Sequence, residues 1–365
     1  MLTPSKILIV CGTRPEIIKL APIYHFLRMQ TWCEVQWLHT GQHQEMAEQI
    51  LACFDIIPDI VLSRAGSSLS EFSIGCRQQL DVVMESKKWG AVIVQGDTES
   101  AFLGGLSAFY QRIPIAHVEA GLRTYDLSRP FPEEGLRQML SRITHFHFPP
   151  TEGGKDALIQ EAIPVKNIYV TGNTVVDAQQ WVIKKYSIHK IDAPGRNILV
   201  TMHRRENWGD DIEEACTAIA SLAKSHPDLN VLFPVHLNPI VQKSVDPILG
   251  GLSNVTLTDP LGYLEMQQAI ANAWLILTDS GGIQEEAPTF HVPVLVLRRE
   301  TERPEAVQAG CAKIIGTSGA AVIKEVNALW EDTGLYQSMK PSSNPFGDGH
   351  ASERISEVLK SQLSH

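Results

Sequence analysis

Short apolar runs alternate with longer amphipathic segments along the whole chain. Most of these runs end at Gly, Asp, His or Thr. This alternation is typical of α/β proteins, in which helices connect buried parallel strands. The pattern predicts two series of strands, which are Lys6–Val10, Val35–His39, Ala91–Gln95, Ile113–Val118 and His145–Phe148 in the first half, and Ile168–Thr171, Ile198–Thr201, Val231–Pro234, Val255–Leu257, Trp274–Thr278 and Val292–Leu297 in the second.

Two series of strands predict two Rossmann-like α/β domains, each with helices on both faces of its sheet. The length of 365 residues agrees, because a domain typically takes about 100–200 residues. We expect an N-terminal domain over residues 1–171, a hinge near residues 172–180 and a C-terminal domain over residues 172–350. The last segment, 351–365, reads as an amphipathic helix that packs back on the first domain. Ligands are expected where the carboxyl ends of the strands converge.

Composition excludes several classes of protein. Lys and Arg total 31 against 41 Asp and Glu, so the net charge of −10 disfavours a general nucleic-acid groove. No apolar run approaches the ~18 residues of a membrane span, and Met1 to Val10 lacks the apolar stretch of a signal peptide. The six cysteines form no Cys-x-x-Cys pair. We therefore expect a cytoplasmic protein that binds neither nucleic acid nor membrane.

The first predicted strand runs into Gly12-Thr13-Arg14-Pro15-Glu16, followed by a helical pattern that carries Lys19. Gly12 permits a tight turn, Pro15 suits the first helical position, and the amides of a helix start bind anions. Arg14 and Lys19 would complete a phosphate site. The alternative is a plain strand-to-helix turn with a solvated Arg and Lys.

Acidic residues follow two further strands of the first half. Asp97 comes after Ala91–Gln95, and Glu119 follows Ile113–Val118, so both are candidates for the ligand crevice. The alternative roles are capping of the next helices or pairing with Arg123.

A proline-rich loop, Arg129-Pro130-Phe131-Pro132, presents Glu133 and Glu134. Three converging carboxylates would raise one another's pKa, which is how one site holds both an acid and a base. The alternative is that Glu133 and Glu134 cap the following helix, with Arg137 paired to one of them.

The second half carries a nucleotide-diphosphate signal. Ser280-Gly281-Gly282 opens a helix with free amides for a phosphate, and Glu286 can accept hydrogen bonds from ribose hydroxyls. His203-Arg204-Arg205 adds positive charge after another strand. His145-x-His147 and His117-x-Glu119 lack a third partner at a diagnostic interval, so we expect no metal site.

Taken together and in order, these motifs resemble the non-hydrolysing UDP-N-acetylglucosamine 2-epimerases from about Lys6 to Gly349. The motifs that carry the resemblance are Gly12-Thr13-Arg14-Pro15-Glu16, Gln42-His43, Gly96-Asp97-Thr98, His117-Val118-Glu119-Ala120-Gly121-Leu122-Arg123, Pro132-Glu133-Glu134, Thr171-Gly172-Asn173-Thr174, His203-Arg204-Arg205-Glu206, Pro234-Val235-His236-Leu237-Asn238-Pro239, Asp279-Ser280-Gly281-Gly282-Ile283-Gln284-Glu285-Glu286 and Glu302-Arg303-Pro304-Glu305. The sequence departs from the usual pattern at Gln95, where the family commonly has His, and after Glu134.

The resemblance implies a GT-B-like pair of domains with the ligand cleft between them, usually in a homodimer, and a UDP-binding role for the second domain. It implies reversible epimerisation at C2 of UDP-N-acetylglucosamine to UDP-N-acetylmannosamine through 2-acetamidoglucal, without a redox cofactor, as a step of surface polysaccharide biosynthesis. The residue roles that it implies are catalysis by Asp97, Glu119, Glu133, His203 and Lys19, substrate or UDP binding by Arg14, Lys19, His203, Ser280, Gly281, Gly282, Glu286 and Arg303, and a regulatory UDP-N-acetylglucosamine site at Gln42, His43, Arg204 and His236.

Four other functions remain open from the sequence. A GT-B glycosyltransferase shares the Ser-Gly-Gly and Glu nucleotide site, and a hydrolysing 2-epimerase releases free N-acetylmannosamine and UDP. A related epimerase acts on another UDP-2-acetamido sugar. A nucleotide-sugar sensor binds the same ligand without turnover.

Overall fold

The structure is a computed structural model that describes residues 3–192, 194–204 and 207–363. Twelve strands pair in parallel throughout this part of the chain. The strands are β1 Ser5–Cys11, β2 Cys33–His39, β3 Ile60–Val61, β4 Ala91–Gln95, β5 Ile115–Val118, β6 Phe146–Phe148, β7 Arg196–Thr201, β8 Leu229–Pro234, β9 Val255–Thr258, β10 Leu275–Thr278, β11 Val294–Val296 and β12 Ala312–Ile314. The helices are α1 Arg14–Arg28, α2 Gln44–Cys53, α3 Leu69–Glu85, α4 Glu99–Tyr110, α5 Glu133–Ile143, α6 Glu152–Gln160, α7 Thr174–Tyr186, α8 Asp210–Ser225, α9 Pro239–Leu249, α10 Tyr263–Asn272, α11 Gly281–Glu286, α12 Pro304–Gln308, α13 Gly319–Glu331, α14 Thr333–Ser338 and α15 Ala351–Leu363.

The strands form two six-stranded sheets with the same topology. The first has the order β3-β2-β1-β4-β5-β6, and the second, counted from its other edge, runs β9-β8-β7-β10-β11-β12. Both are the Rossmann order, in which the chain changes direction of travel between the first and fourth strands. The prediction of two Rossmann-like α/β domains is confirmed. The switch points lie between β1 and β4 and between β7 and β10, and ligands bind such sheets at the carboxyl ends there.

Three predictions of strands differ from the structure. The segment predicted as a strand at Ile168–Thr171 forms only one isolated bridge, between Ile168 and His147. Its neighbour β6 ends just before Pro149 and Pro150, which have no N–H with which to continue a ladder. The short edge strands β3 and β12 were not predicted, because two or three residues give too little periodicity to recognise.

The chain divides into two compact units, and the predicted boundary is displaced. Unit 1 comprises Met1–Trp181 and Gly347–His365, and unit 2 is the continuous segment Val182–Phe346. The predicted end of the first domain at residue 171 is therefore too early, because most of α7 belongs to unit 1. Unit 1 also includes α15, which packs against α1.

The amino terminus of α15 is held by a carboxylate of α7. Asp177 accepts hydrogen bonds from the amides of Ala351, at 3.3 Å, and Ser352, at 2.8 Å. These are amides of the first turn, which have no acceptor within their own helix. Burial raises the pKa of Asp177. This contact ties the last described helix to unit 1.

Each unit has its own hydrophobic core. In unit 1, apolar residues of β1, β4 and β5 pack against α3 and α4, and in unit 2 those of β7, β8 and β10 pack against α8, α9 and α13. Over the described part of the chain, no helix is both long enough and apolar enough to span a membrane. The six cysteines, all within that part, are unpaired thiols.

Candidate functional site

The carboxyl ends of β1, β4 and β5 bring three charged segments of unit 1 together. These strands are neighbours in the sheet, so the segments that follow them leave from one edge. Lys19 of α1 and Glu119, directly after β5, form an ion pair across this edge. Lys19, which was predicted to contact a diphosphate, thus contacts a candidate catalytic carboxylate.

Glu119 is held on both carboxylate oxygens. Lys19 donates to Oε1, and the Gln95 amide at the end of β4 donates to Oε2. Glu119 also has a φ of 62°, in the left-handed region that a residue with a Cβ rarely adopts. Such backbone strain is concentrated at functional sites, where the surrounding structure enforces it. Gln95 was noted in the sequence only as a departure from the family pattern, yet it contacts a candidate catalytic carboxylate.

Asp97 is paired with a cation that the sequence did not connect to it. Arg137 of α5 donates through Nη2 to Asp97 Oδ2. The predicted alternative partner, Arg123, instead pairs with Glu161 at 2.6 Å. Asp97 Oδ1 accepts no hydrogen bond from a described residue, and the side chain is 24% exposed. Asp97 therefore has one oxygen held and one available.

The two glutamates at the start of α5 lie in different environments. Glu134 is fully buried and accepts hydrogen bonds from the Thr124 and Tyr125 amides, at 3.0 and 3.1 Å. It also pairs with Arg137 at 3.3 Å, so the predicted pairing of Arg137 with one of the two glutamates is found at Glu134, although the amides that Glu134 accepts from belong to the preceding loop and not to α5. Glu133 is half-buried, and no described residue forms an ion pair or side-chain hydrogen bond with it.

In the loop after β1, two backbone amides already have a partner, and the predicted phosphate-binding role of Arg14 and Lys19 stays a prediction. The amides of Gly12 and Thr13 donate to Glu16 Oε2, at 3.1 and 2.8 Å, so they are occupied by a carboxylate of the same chain. Gly12 has no positive φ, so the backbone conformation does not require glycine there. Glycine is needed because the chain packs closely, since a Cβ would lie 2.1 Å from the hydroxyl oxygens of Thr40 and Ser100. Arg14 is half-buried at the first position of α1.

Glu16 itself is a residue that the sequence reasoning missed. It is fully buried and also accepts a hydrogen bond from Thr98 Oγ1 at 2.8 Å, next to Asp97. Burial raises the pKa of Glu16 from 4.5 to about 7, although hydrogen bonds from Thr13, Thr98 and Gly12 oppose this rise. The only feature of the sequence that singles out Glu16 is its place as the third residue of α1 after Thr13, and this spacing indicates a capping box, not a functional site.

In unit 2, His203 lies after β7 and contacts the buried carboxylate of Asp279, after β10. The distance between His203 Nδ1 and Asp279 Oδ1 is 3.1 Å. Asp279 also accepts hydrogen bonds from the His203 and Arg204 amides and from Asn207. Although burial alone would raise the pKa of Asp279, the hydrogen bond and charge of His203 lower it below its usual range. Arg205 and Glu206 lie outside the described residues.

The start of α11 combines free amides with two guanidinium groups. Ser280 is the N-cap, and Gly281 and Gly282 are the first helical residues, whose amides have no acceptor within the helix. A Cβ at Gly281 would lie 3.7 Å from Arg303 Nη2 and 3.9 Å from Arg204 Nη2. Arg303 is anchored by an ion pair with Glu285. Positive charge and open amides therefore meet at the β10–α11 turn, where Arg204, predicted for the regulatory site, lies near Gly281 as Arg303 does.

Glu286 lies one turn further along α11 and is nearly buried. It accepts a hydrogen bond from Gln267 of α10 at 2.9 Å. This contact fixes the Glu286 carboxylate from one side. Its predicted role toward a ribose stays a prediction.

The four residues of the predicted regulatory site are divided between the two units. In unit 1, Gln42 Oε1 accepts a hydrogen bond from Ser100, and His43 is the N-cap of α2. In unit 2, Arg204 and His236 follow the neighbouring strands β7 and β8. Their shared regulatory role stays a prediction. Within the part of the chain that the structure describes, no group of three or more His, Cys, Asp and Glu residues is suited to hold a metal ion.

Known proteins resemble this chain over nearly its whole length. A sequence profile of the family described as UDP-N-acetylglucosamine 2-epimerase matches residues 25–360. The UDP-N-acetylglucosamine 2-epimerase of Escherichia coli strain K12 is 45% identical over 369 residues, which cover 97% of this chain and 98% of that protein.

Solved structures agree in fold. The crystal structure of UDP-GlcNAc 2-epimerase from Neisseria meningitidis bound to UDP-GlcNAc has a TM-score of 0.89 and 41% identity, and the match covers 98% of this chain and 100% of that one. The crystal structure of MurG from Acinetobacter baumannii, at 16% identity with a TM-score of 0.63, shares the fold over 98% of this chain and 100% of its own.

Proposed function

The chain belongs to the UDP-N-acetylglucosamine 2-epimerase family, and we propose that it interconverts UDP-N-acetylglucosamine and UDP-N-acetylmannosamine without hydrolysis. The family predicted from the motifs is confirmed. The named relatives support epimerisation rather than glycosyl transfer. The observation that carries the proposal has two parts. In unit 1, Asp97 and Glu119 follow neighbouring strands, and Glu133 opens the helix whose Arg137 pairs with Asp97, while unit 2 holds open amides and guanidinium groups at the start of α11.

The proposed reaction is an elimination followed by an addition. A base removes the proton at C2, the C1–O bond to UDP breaks, and 2-acetamidoglucal with a C1=C2 double bond forms. UDP then adds again at C1, and an acid returns a proton to C2 on the opposite face. No adjacent carbonyl acidifies the C2 proton, so the reaction needs both a positioned base and stabilisation of the departing diphosphate.

The carboxylates of unit 1 are proposed to carry the proton transfers. Asp97 and Glu133 have carboxylate oxygens that accept no hydrogen bond from a described residue, so these oxygens are available to a substrate. Glu119 is held by Lys19 and Gln95, so a proton that it accepts competes with their donated hydrogen bonds. Lys19 supplies a positive charge beside Glu119 and, with Arg14, the cationic character of this edge.

Unit 2 is proposed to bind the nucleotide. The amides of Gly281 and Gly282, with Ser280, would contact the diphosphate, and Arg303 would neutralise its charge. His203 would assist the departing diphosphate while Asp279 fixes its ring, and Glu286 would bind the ribose hydroxyls.

Proton NMR in D2O tests this function directly. Purified protein is incubated with UDP-N-acetylglucosamine alone, without acceptor or cofactor. We expect UDP-N-acetylmannosamine that carries deuterium at C2. Free N-acetylmannosamine with UDP would instead indicate a hydrolysing enzyme, and unchanged substrate would contradict the proposal.

Substitution of the available carboxylates tests their roles. Asp97→Asn and Glu133→Gln should each lower kcat by about 10²-fold or more, because a positioned acid or base contributes about that much. The matched control is Glu152→Gln, since this glutamate is exposed in unit 1 and pairs only with neighbouring Lys155 among the described residues. Wild-type turnover in both carboxylate variants would remove them from the proton transfers.

We also propose that the enzyme is a cytoplasmic homodimer, as its family resemblance implies. Apolar side chains stand exposed on the paired helices α3 and α4 and would meet a second copy, namely Ile74 at 61%, Val82 at 69% and Tyr110 at 65% exposure. Light scattering with size-exclusion chromatography should give a dimer that Ile74→Arg with Tyr110→Arg converts to a monomer. Ile57→Arg, at another exposed apolar position of unit 1, is the control. A dimer that survives the double substitution would contradict this interface.

A further inference from the structure

Arg137 lies between two carboxylates that belong to different segments of unit 1. Its side chain is only 5% exposed. One end of the guanidinium, Nη2, donates to Asp97, and Nη1 lies 3.3 Å from Glu134 Oε2. A guanidinium is always charged and presents its donors in a rigid fork, so one side chain can fix two acidic groups.

Glu134 is the fixed side of this arrangement. It is fully buried and accepts three hydrogen bonds, from the Thr124 and Tyr125 amides and from Gln138 Nε2 at 2.7 Å. Despite its burial, these bonds and the charge of Arg137 lower the pKa of Glu134, so it is anionic. The guanidinium is thus anchored to α5 and to the loop before it.

Asp97 is the side of this arrangement with fewer contacts. It lies in the turn between β4 and α4, directly after Gly96, whose φ is 71°. Arg137 is the one described residue that bonds its carboxylate, and it does so on Oδ2. The contact therefore links the turn that carries Asp97 to the helix whose first residue is Glu133.

We infer that Arg137 is a positioning residue of the reaction, which holds the Asp97 carboxylate in place relative to Glu133. This inference rests on the proposed function, because it assumes that Asp97 acts on the substrate. Arg137 acts through Asp97, since Nη2 donates to the Asp97 carboxylate while Nε and Nη1 are buried and form no hydrogen bond within the part of the chain that the structure describes, so that Nη1 meets Glu134 only as an ion pair.

The predicted consequence is a loss in kcat with little change in KM. Arg137→Gln should lower kcat on the order of 10²-fold, the scale at which a positioned acid or base contributes. KM for UDP-N-acetylglucosamine should stay within about threefold. Arg137→Lys should recover part of the loss, because it retains the charge but not the fork. A rise in KM that matches the loss in kcat/KM would overturn the inference.

A double-mutant comparison tests whether Arg137 acts through Asp97. In the Asp97→Asn background, adding Arg137→Gln should change the residual kcat by less than about threefold, because groups that act as one unit are not additive. Two independent losses that multiply would show that Arg137 has another role, and would overturn the inference.

Hydrogen exchange followed by mass spectrometry gives a readout that does not need turnover. Arg137→Gln should accelerate exchange in residues 96–101, the turn that carries Asp97. The matched control is Arg142→Gln, since Arg142 is exposed on the same helix and donates to the Glu161 carbonyl. Unchanged exchange in Arg137→Gln overturns the positioning role. If wild-type enzyme incorporates no deuterium at C2, the proposed function fails, while faster exchange still shows that Arg137 holds the Asp97 turn.

Discussion

Glu16 makes the stability of unit 1 depend on pH in the direction opposite to that of a carboxylate whose pKa is lowered by a charged partner, such as Asp279. Burial favours its protonated form and raises its pKa from 4.5 to about 7. The stabilising contribution is therefore present in full below pH 4.5 and is lost as the pH rises to about 7. The interval between these two values corresponds to about 3 kcal/mol, at about 1.36 kcal/mol for each pH unit.

The Glu16→Gln variant isolates this contribution, because glutamine does not titrate. The free energy of unfolding of wild type, relative to the variant, should fall by roughly 2–3 kcal/mol between pH 5 and pH 8. Other titrating groups are common to both proteins and cancel in the difference.

The assay must report unit 1 separately, since a chain with two units does not unfold in one step. Hydrogen exchange measured against urea concentration meets this need. Peptides from β1 report unit 1, and peptides from β10 report unit 2 as an internal control. The reasoning would be refuted if the free energy of unfolding of wild type relative to Glu16→Gln stayed constant within about 0.5 kcal/mol from pH 5 to pH 8, or if it increased with pH.

Further predictions concern close packing, the His–Asp pair and unit 2. Gly12→Ala should lower thermal stability by about 1–3 kcal/mol through overpacking, whereas Gly135→Ala, with open space around its Cβ, should be neutral or stabilising; equal melting temperatures would contradict the packing argument. Asp279→Asn should weaken UDP binding about tenfold in calorimetry, because His203 loses its anionic partner, and unchanged affinity would remove Asp279 from this role. Arg196→Met should destabilise unit 2 by about 1–2 kcal/mol, since the guanidinium carbon lies 4.9 Å from the ring centre of Trp274 and 4.2 Å from that of Trp330. Hydrogen exchange in β10 that is as slow in the variant as in wild type would contradict this prediction.

The sequence predicts the fold well because long parallel strands are nearly continuous apolar runs. β1 and β4 are fully buried over most of their length, and their apolar runs are visible in the sequence without any contact information. Short edge strands such as β3 carry no such signal. Ile168–Thr171 has the composition of a strand, but its neighbour β6 ends at two prolines. The residue pattern of one segment carries no information about whether the neighbouring strand is long enough to pair with it.

In the candidate site, too, some residues carry a local sequence signal and others do not. Asp97 and Glu119 are predictable because each lies within two residues of the end of a predicted strand, where the carboxyl ends of parallel strands bind ligands. Their partners are not predictable in this way. Arg137 is far from Asp97 in sequence and on a helix, where an arginine ordinarily faces solvent. Only the folded arrangement selects which cation meets which carboxylate.

The division of unit 1 into two stretches of chain has a consequence for its synthesis on the ribosome. All six strands of its sheet emerge early, but α15 is translated only after the whole of unit 2. Until then, the face of α1 that α15 covers is exposed, and Asp177 has no helix start to cap. Unit 2 is one continuous segment and can complete its fold first. Unit 1 is therefore the first to begin folding, and it can finish only after all of unit 2 has been translated.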